Sequence, residues 1–482
     1  MSSFSSPAGS FGSYIDGEIR DGPDPVDIVD PGTGTAVAEV ELSGTAGVDD
    51  ALASSVEASE EWAQRDRTEV GRILRAIADG IRDELEHLAT VETRENGRPL
   101  STSRVLVDQA ADYFEYYGGM ADKIQGDTIP LPDNRLDYTR LEPIGTMAHI
   151  VPWNGSLVLC ARGLGPALAC QNTVVVKPDP KTPLSVLELA RIASAAGLPD
   201  GVLNVVPGGG EPTGEALISD DRVDGIVFTG STDTGRHVMR TAANRPIPVE
   251  LELGGKSPSI VYEDADIGKA VQGTLNTFWN AGQVCFNTSR VFVHDDIYDT
   301  FVERVVEGAE SLSIGPGIEN PDLGPLITTA ARDDVDEYVR KAVRDGARLL
   351  TGGEIPHEQG AFYEPTIIDQ VDDNVSISCD EVFGPVVTLY RFESDEEAVR
   401  RANDTRYGLY SAVWTDNLDR AHNTAAALDA GTVAVNEFPL TYPQAPFGGY
   451  KQSGIGREKG MQAIRNYSQL KNVIVSLEDS PY

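Results

Sequence analysis

The chain has 482 residues and is 40% hydrophobic, long enough for two or three domains with cores of their own and too apolar for disorder. Against 39 basic residues stand 76 acidic ones, a formal net charge of −37 that repels nucleic acid and anionic lipid alike. No stretch approaches the length of a membrane span. The start, Met1-Ser-Ser-Phe-Ser-Ser, lacks the basic segment and apolar run of a secretory leader, so a cytoplasmic protein is expected. The four cysteines, Cys160, Cys170, Cys285 and Cys379, show no CxxC spacing and no His-rich surroundings. Neither a zinc site nor a disulfide framework is suggested, and any cysteine chemistry should be that of a thiol.

In chain order, the first predicted element is a long helical stretch over roughly 46–95. A polar segment rich in Gly, Pro and Asp, about 118–137, then reads as a projecting hairpin. From residue 146 short apolar runs alternate with helical patterns: TMAHIVP, TVVVKP, a helix over 183–196, VLNVVP and GIVFTGS. Such alternation marks βαβ units and a parallel sheet, here read as a nucleotide-binding domain. A second βα series runs from about Glu250 to Asn436, with strand-like SPSIVY, RVFVH and GPVVTLY bracketing helices over 297–311 and 330–345. The tail after Met461 is expected to complete a sheet at a subunit contact. The division that follows is a cofactor-binding domain (1–117 and 140–250), a catalytic domain (251–436) and a bridging and oligomerisation element (118–139 and 437–482).

Taken alone, Cys285 would be read as a small buried hydrophobe, the usual fate of a free cysteine. Its setting, Asn280-Ala-Gly-Gln-Val-Cys-Phe, puts it instead after a glycine in a polar turn where a thiol can be reached. The run FWNAGQVCFNTSRVFV resembles the nucleophile segment of the aldehyde dehydrogenase superfamily, and the resemblance extends over nearly the whole chain. Matching pieces are YIDGE at Tyr14, VDPGTG at Val29, PWN at Pro152, VVVKP at Val174, FTGST at Phe228, LELGGKSP at Leu251, EVFGPV at Glu381 and PFGGYKQSG at Pro446. Each is weak alone; together, in the family's order, they are not a chance match. The resemblance implies an α/β fold with a Rossmann-like cofactor domain, an α/β catalytic domain and a small β oligomerisation element. It also implies a homodimer or homotetramer that oxidises a small-molecule aldehyde to its acid with NAD or NADP.

That oxidation requires a tetrahedral adduct able to expel hydride, and a thiolate supplies one while leaving a thioester that water can split. Cys285 is the candidate nucleophile. By resemblance, the side-chain amide of Asn154 and the backbone N–H of Cys285 would stabilise the oxyanion, and Glu252 would be the general base for thioester hydrolysis. On the cofactor side, the strand GIVF runs into Thr229-Gly-Ser-Thr and then a helix, so that donors at a helix start face a phosphate, with Thr229 and Ser231 on the phosphate side. Gly208-Gly-Gly would let a second backbone segment approach, with Gly210 at the family position; the usual GxGxxG fingerprint is absent. Lys177 resembles the lysine that holds the adenosine ribose, and Glu381 the acid that positions the nicotinamide ribose. Phe383 would pack nearby and Trp153 would line the cleft.

The sequence departs from the family pattern in several places. Members restricted to NAD commonly carry a glutamate three residues after the lysine matched by Lys177; here that position is Pro180, with Lys181 beside it and Asp179 able to offset its charge, so NADP is slightly favoured. Gly155-Ser156 replaces the usual aromatic and proline and should widen one wall of the aldehyde tunnel. Arg162 stands where succinic-semialdehyde-type members hold a distal carboxylate, but their second arginine is Trp279 here, and the alternative is a structural ion pair. Trp279, Phe286, Phe438 and Tyr442 could instead wall a pocket for an apolar aldehyde.

Competing activities are a CoA-acylating dehydrogenase, which Glu252 argues against, and a sugar-phosphate aldehyde dehydrogenase, for which Arg162 and Arg290 are the basic candidates. A catalytically retired protein is argued against by Cys285, Glu252 and Asn154. The acids are spread along the chain at apparent surface positions such as Asp220-Asp221 and Asp333-Asp334, a pattern resembling proteins of organisms with salty cytoplasm. At ordinary ionic strength their repulsion opposes compaction, whereas molar salt screens charges over roughly 3 Å.

Overall fold

The computed structural model describes residues 11–132, 134–437 and 442–477. Its first sheet has eight strands in the spatial order Gly454–Ile455, Val249–Glu252, Gly225–Thr229, Thr146–Val151, Thr173–Pro178, Leu203–Val205, Ser13–Ile15 and Glu18–Arg20. The five strands between Val249–Glu252 and Leu203–Val205 are mutually parallel. TMAHIV, TVVVKP and GIVFT are buried along their whole length, as near-continuous apolar strands must be when helices cover both faces of a parallel sheet. Helices Ser156–Ala169 and Leu184–Ala195 cross over between these strands and share their core.

The long helical stretch expected at the start is three helices, Gly44–Ala63, Arg67–Asp83 and Leu85–Asn96. The first break lies at Asp66, whose carboxylate accepts from the backbone N–H groups of Thr68 (2.8 Å) and Glu69 (3.3 Å) and so starts a new helix instead of continuing the old one.

A second sheet of seven strands runs Arg348–Thr351, Thr366–Asp369, Val386–Phe392, Arg290–His294, Pro258–Val261, Tyr410–Trp414 and Thr432–Val435. It is parallel except for its first pair and has its own core. The third sheet joins the expected hairpin to the tail: Thr128–Ile129 and Arg135–Pro143 pair, and Ser468–Ser476 adds antiparallel along the full length of Arg135–Pro143. Among the described residues no helix is long and apolar enough to cross a membrane.

The parallel connectivity puts the carboxyl ends of four strands on one edge of the first sheet. Trp153 and Asn154 follow the first of them, Lys177 is the last residue but one of the second, Thr229 ends the third and Glu252 the fourth. This edge is where open α/β sheets bind ligands.

Candidate active site

Cys285 sits just beyond a strained turn. Asn280 and Ala281 have φ of +52° and +53°, a left-handed conformation that side chains resist, and Gly282 follows at +72°. A Cβ at Gly282 would lie 1.9 Å from the Gly384 carbonyl oxygen, and one at Gly255 would lie 2.4 Å from the carbonyl oxygen of Cys285. The loop is thus clamped between the LGGK and FGP segments. Burial pushes the largely buried thiol up to about 12, with the Arg162 guanidinium as the opposing charge.

The thiol lines a cavity of about 390 Å³ with Asn154, Gly155, Arg162, Trp279, Phe286 and Tyr442. Four expected substrate-side residues therefore converge; Phe438 lies outside the described residues. Most of the remaining wall, including Val105, Gln109, Tyr113 and Leu159, comes from helices Leu100–Gly118 and Ser156–Ala169, with Asn276 and Val284 from the nucleophile segment. No sequence signal marked the first of these helices as substrate-facing. A second cavity of about 390 Å³, walled by Phe11, Tyr14 and Leu187, holds none of the site residues.

Asn154 reaches the nucleophile loop directly. Its Nδ2 donates to the carbonyl oxygen of Gln283 at 3.0 Å, two residues before Cys285, which leaves its other N–H for an oxygen in the cavity. Gly155 lines the cavity, but Ser156 does not: it is buried and its hydroxyl bonds Thr182 at 2.6 Å. Of the pair expected to widen the wall, only the glycine faces the cavity.

Arg162 also departs from the free clamp considered above. Its guanidinium forms a buried ion pair with Glu458 and donates to Thr229 Oγ1 at 3.4 Å. Thr229, expected beside a phosphate, is thus turned toward the arginine. Behind Arg162 lies Glu252, buried and with neither oxygen hydrogen-bonded among the described residues. Burial first, then the charge of Glu458, pushes its carboxyl up to about 8, against Arg162, Lys459 and Arg457. Glu252 does not line the cavity, although its charge acts on Cys285. Sequence reasoning missed Glu458, whose burial is visible only once the tail folds back. Arg290, considered for a phosphate, donates instead to the backbone oxygens of Lys256 (3.0 Å) and Ala402 (2.9 Å) and is structural. Arg162 is then the one charged residue in the cavity wall among the described residues.

On the cofactor side, Lys177 is buried, which pushes its ammonium down to about 8, and its Nζ donates to the Gly208 carbonyl at 2.8 Å. A Cβ at Gly208 would lie 2.2 Å from Thr213 Oγ1, so this glycine serves packing, whereas one at Gly210 meets nothing within 4 Å and the backbone there is open. Ser231 caps the helix Thr232–Ala242, its Oγ accepting from Thr234 N at 3.3 Å. The Thr232 hydroxyl at that helix start is buried without a partner among the described residues. An orphaned hydroxyl, an open glycine backbone and a helix N-terminus together fit a dinucleotide phosphate. Glu381 packs on Gly254, where a Cβ would lie 2.1 Å from its Oε2, and its Oε1 accepts from Gly255 N at 3.2 Å. Burial pushes this carboxyl up to about 7. Phe383 and Trp153 meet edge to face at 5.4 Å. Lys181 is ion-paired with Asp179 at 2.8 Å.

A sheet edge that fits a dinucleotide phosphate stands beside a cavity lined by a thiol and an amide, with a buried carboxylic acid outside its wall, an arrangement that fits a dinucleotide-dependent oxidoreductase. The aldehyde dehydrogenase family model matches residues 19–473. The chain is 41% identical to betaine aldehyde dehydrogenase of Cereibacter sphaeroides, covering 95% of each chain. It is 42% identical to retinaldehyde dehydrogenase 3 of Mus musculus, over 93% of this chain and 89% of that one. The NAD+ complex of an aldehyde dehydrogenase from Bacillus cereus superposes with a TM-score of 0.96 at 39% identity, covering 97% of both chains. The chain belongs to the aldehyde dehydrogenase family. It is an NAD(P)-dependent enzyme that oxidises an aldehyde to its carboxylic acid.

Proposed function

We propose that Cys285 is the nucleophile, Asn154 and the Cys285 N–H the oxyanion donors, and Glu252 the base that frees the product. The convergence of Cys285, Asn154 and Arg162 on one cavity carries this reading. The Cys285 Sγ gives up its proton to solvent water and bonds the aldehyde carbon, and the carbonyl electron pair moves onto oxygen, where the Asn154 amide and the backbone N–H stabilise it. The bound dinucleotide supplies the hydride acceptor. As the C–H bond breaks the oxyanion re-forms a carbonyl, leaving a thioester. Glu252 turns toward the thioester and takes a proton from water, whose oxygen bonds the acyl carbon as the C–S bond breaks. Lys177, Gly210, Ser231, Glu381, Phe383 and Trp153 would hold the dinucleotide, with Thr229 at the edge of its cradle. This assigns 1–117 and 140–250 to cofactor binding and 251–436 to catalysis. The missing acidic barrier at Pro180 favours NADP slightly, a preference that the Lys181–Asp179 pair tempers.

The substrate is an apolar or aromatic aldehyde. The wall is largely apolar, and its one described charge, the Arg162 guanidinium, is already paired with Glu458 and so offers little to a charged substrate group. A carboxylated semialdehyde is the second reading, favoured by Arg162 in the wall and opposed by its pairing with Glu458. The test is NAD(P)H formation from hexanal, benzaldehyde, succinic semialdehyde and betaine aldehyde, with NAD and NADP, in dilute buffer and in molar KCl. Apolar aldehydes are expected to lead betaine aldehyde in kcat/KM by about tenfold or more, roughly 1.4 kcal/mol of transition-state binding. Betaine aldehyde in the lead would contradict the assignment. The acidic surface makes the enzyme salt-adapted, so activity should rise in KCl; a fall would contradict this.

The subunit contact is the third sheet. Ser468–Ser476 lies at its edge, and Leu470 and Ile474, on one face, are 65% and 60% exposed, an edge and an apolar surface that soluble proteins cover. Replacing both by Lys is expected to reduce the dimer or tetramer to a smaller species by light scattering; an unchanged mass would place the contact elsewhere.

A further inference from the structure

The turn carrying Asn154 is gripped by side chains from the end of a helix outside both the cavity and the nucleophile loop. Helix Leu85–Asn96 stops at Gly97, whose φ of +91° turns the chain sharply. A Cβ there would lie 2.5 Å from Pro325 and 2.6 Å from Pro31. The next residue, Arg98, has a side chain with no exposed surface. Its Nη2 donates to the Asn154 carbonyl oxygen at 2.8 Å, its Nε donates to Asn96 Oδ1 at 2.8 Å, and its Nη1 lies 3.3 Å from Glu92 Oε2. The other end of the Asn96 amide, Nδ2, donates to the Trp153 carbonyl oxygen at 3.0 Å. Glu92 Oε1 in turn accepts from Leu157 N at 3.0 Å, in the first turn of the helix after Asn154.

Two successive carbonyls, of Trp153 and Asn154, are thus each held by a side chain from one helix end, and the two side chains are bonded to each other. Burying a guanidinium is costly, and a simple packing tie would not need one. A planar fork that donates to two acceptors in fixed directions, with the Glu92 carboxylate against its third nitrogen, fixes the orientation of the turn, which a lysine ammonium does not. We propose that Arg98 and Asn96 are positioning residues for the oxyanion donor, setting the Trp153–Asn154 turn so that the Asn154 amide meets the oxygen of an aldehyde bonded to Cys285. This rests on Asn154 being that donor.

The test is a double-mutant cycle on kcat with Arg98→Lys and Asn96→Ala, each made in the wild type and in Asn154→Ala. Asn96→Ala removes one grip without leaving buried carboxylates uncompensated, and so serves if Arg98→Lys does not fold. In the wild type each is expected to lower kcat about 10- to 100-fold. The rate of Cys285 alkylation by iodoacetamide should stay within about twofold, because it does not need the oxyanion donor. In Asn154→Ala each should cost less than about twofold, because the group being positioned is gone. Losses that multiply, or alkylation that slows in step with kcat, would overturn the positioning role while leaving Asn154 as donor. An Asn154→Ala enzyme with wild-type kcat would remove Asn154 from the oxyanion role and this proposal with it.

Discussion

Replacing Cys285 by Ala is expected to lower kcat by roughly five to six orders of magnitude, the scale of losing a covalent nucleophile, while cofactor affinity measured by calorimetry stays within about twofold. No other thiol can stand in. Cys160 and Cys170 are buried in the first core and burial pushes both thiols up, to about 12 for Cys170. Cys379 is exposed and its Sγ lies against the Asp373 carbonyl oxygen at 3.3 Å. Only Cys285 lines the cavity with Asn154. Turnover within a hundredfold of wild type would remove the thiol from the mechanism.

Replacing Glu252 by Gln is expected to give a burst of one NAD(P)H per subunit followed by a steady state lower by about 10²–10⁴-fold, the usual contribution of a positioned base. The pH dependence follows from its environment. A carboxyl pushed up to about 8 stays protonated below that pH and cannot accept a proton from water. Acid release by the wild type should therefore climb with pH through the region around 8, where an ordinary glutamate would already have reached its plateau. The Gln variant should lose this climb. A fully active variant without a burst would remove Glu252 from the role of base.

Much of this was legible in the sequence, for identifiable reasons. Strands such as TVVVKP and GIVFT announce a parallel sheet because burial on both faces demands unbroken apolar runs. The residues at their carboxyl ends then fall on one edge through connectivity alone. What stayed hidden depends on partners far apart in the chain. The ion pair that occupies Arg162 needs Glu458, which the returning tail brings in. Ser156 was misjudged because its neighbour Thr182, which takes its hydroxyl out of the wall, is fixed only by packing. Periodicity ran across Asp66 because a capping carboxylate interrupts a helix without interrupting its apolar stripe. Arg98 carries no local signal, since an arginine after a helix-ending glycine is ordinarily solvated.

The most direct measurement is the intact mass and peptide map of Glu252→Gln after one turnover with NAD(P)+ and a reactive aldehyde. Attack by Cys285 with loss of hydride and proton adds the mass of the aldehyde less two hydrogens, and that acyl group should map to the peptide containing Cys285. An unmodified Cys285 after a full burst, or an acyl group on Cys160, Cys170 or Cys379, would contradict a thioester at this site.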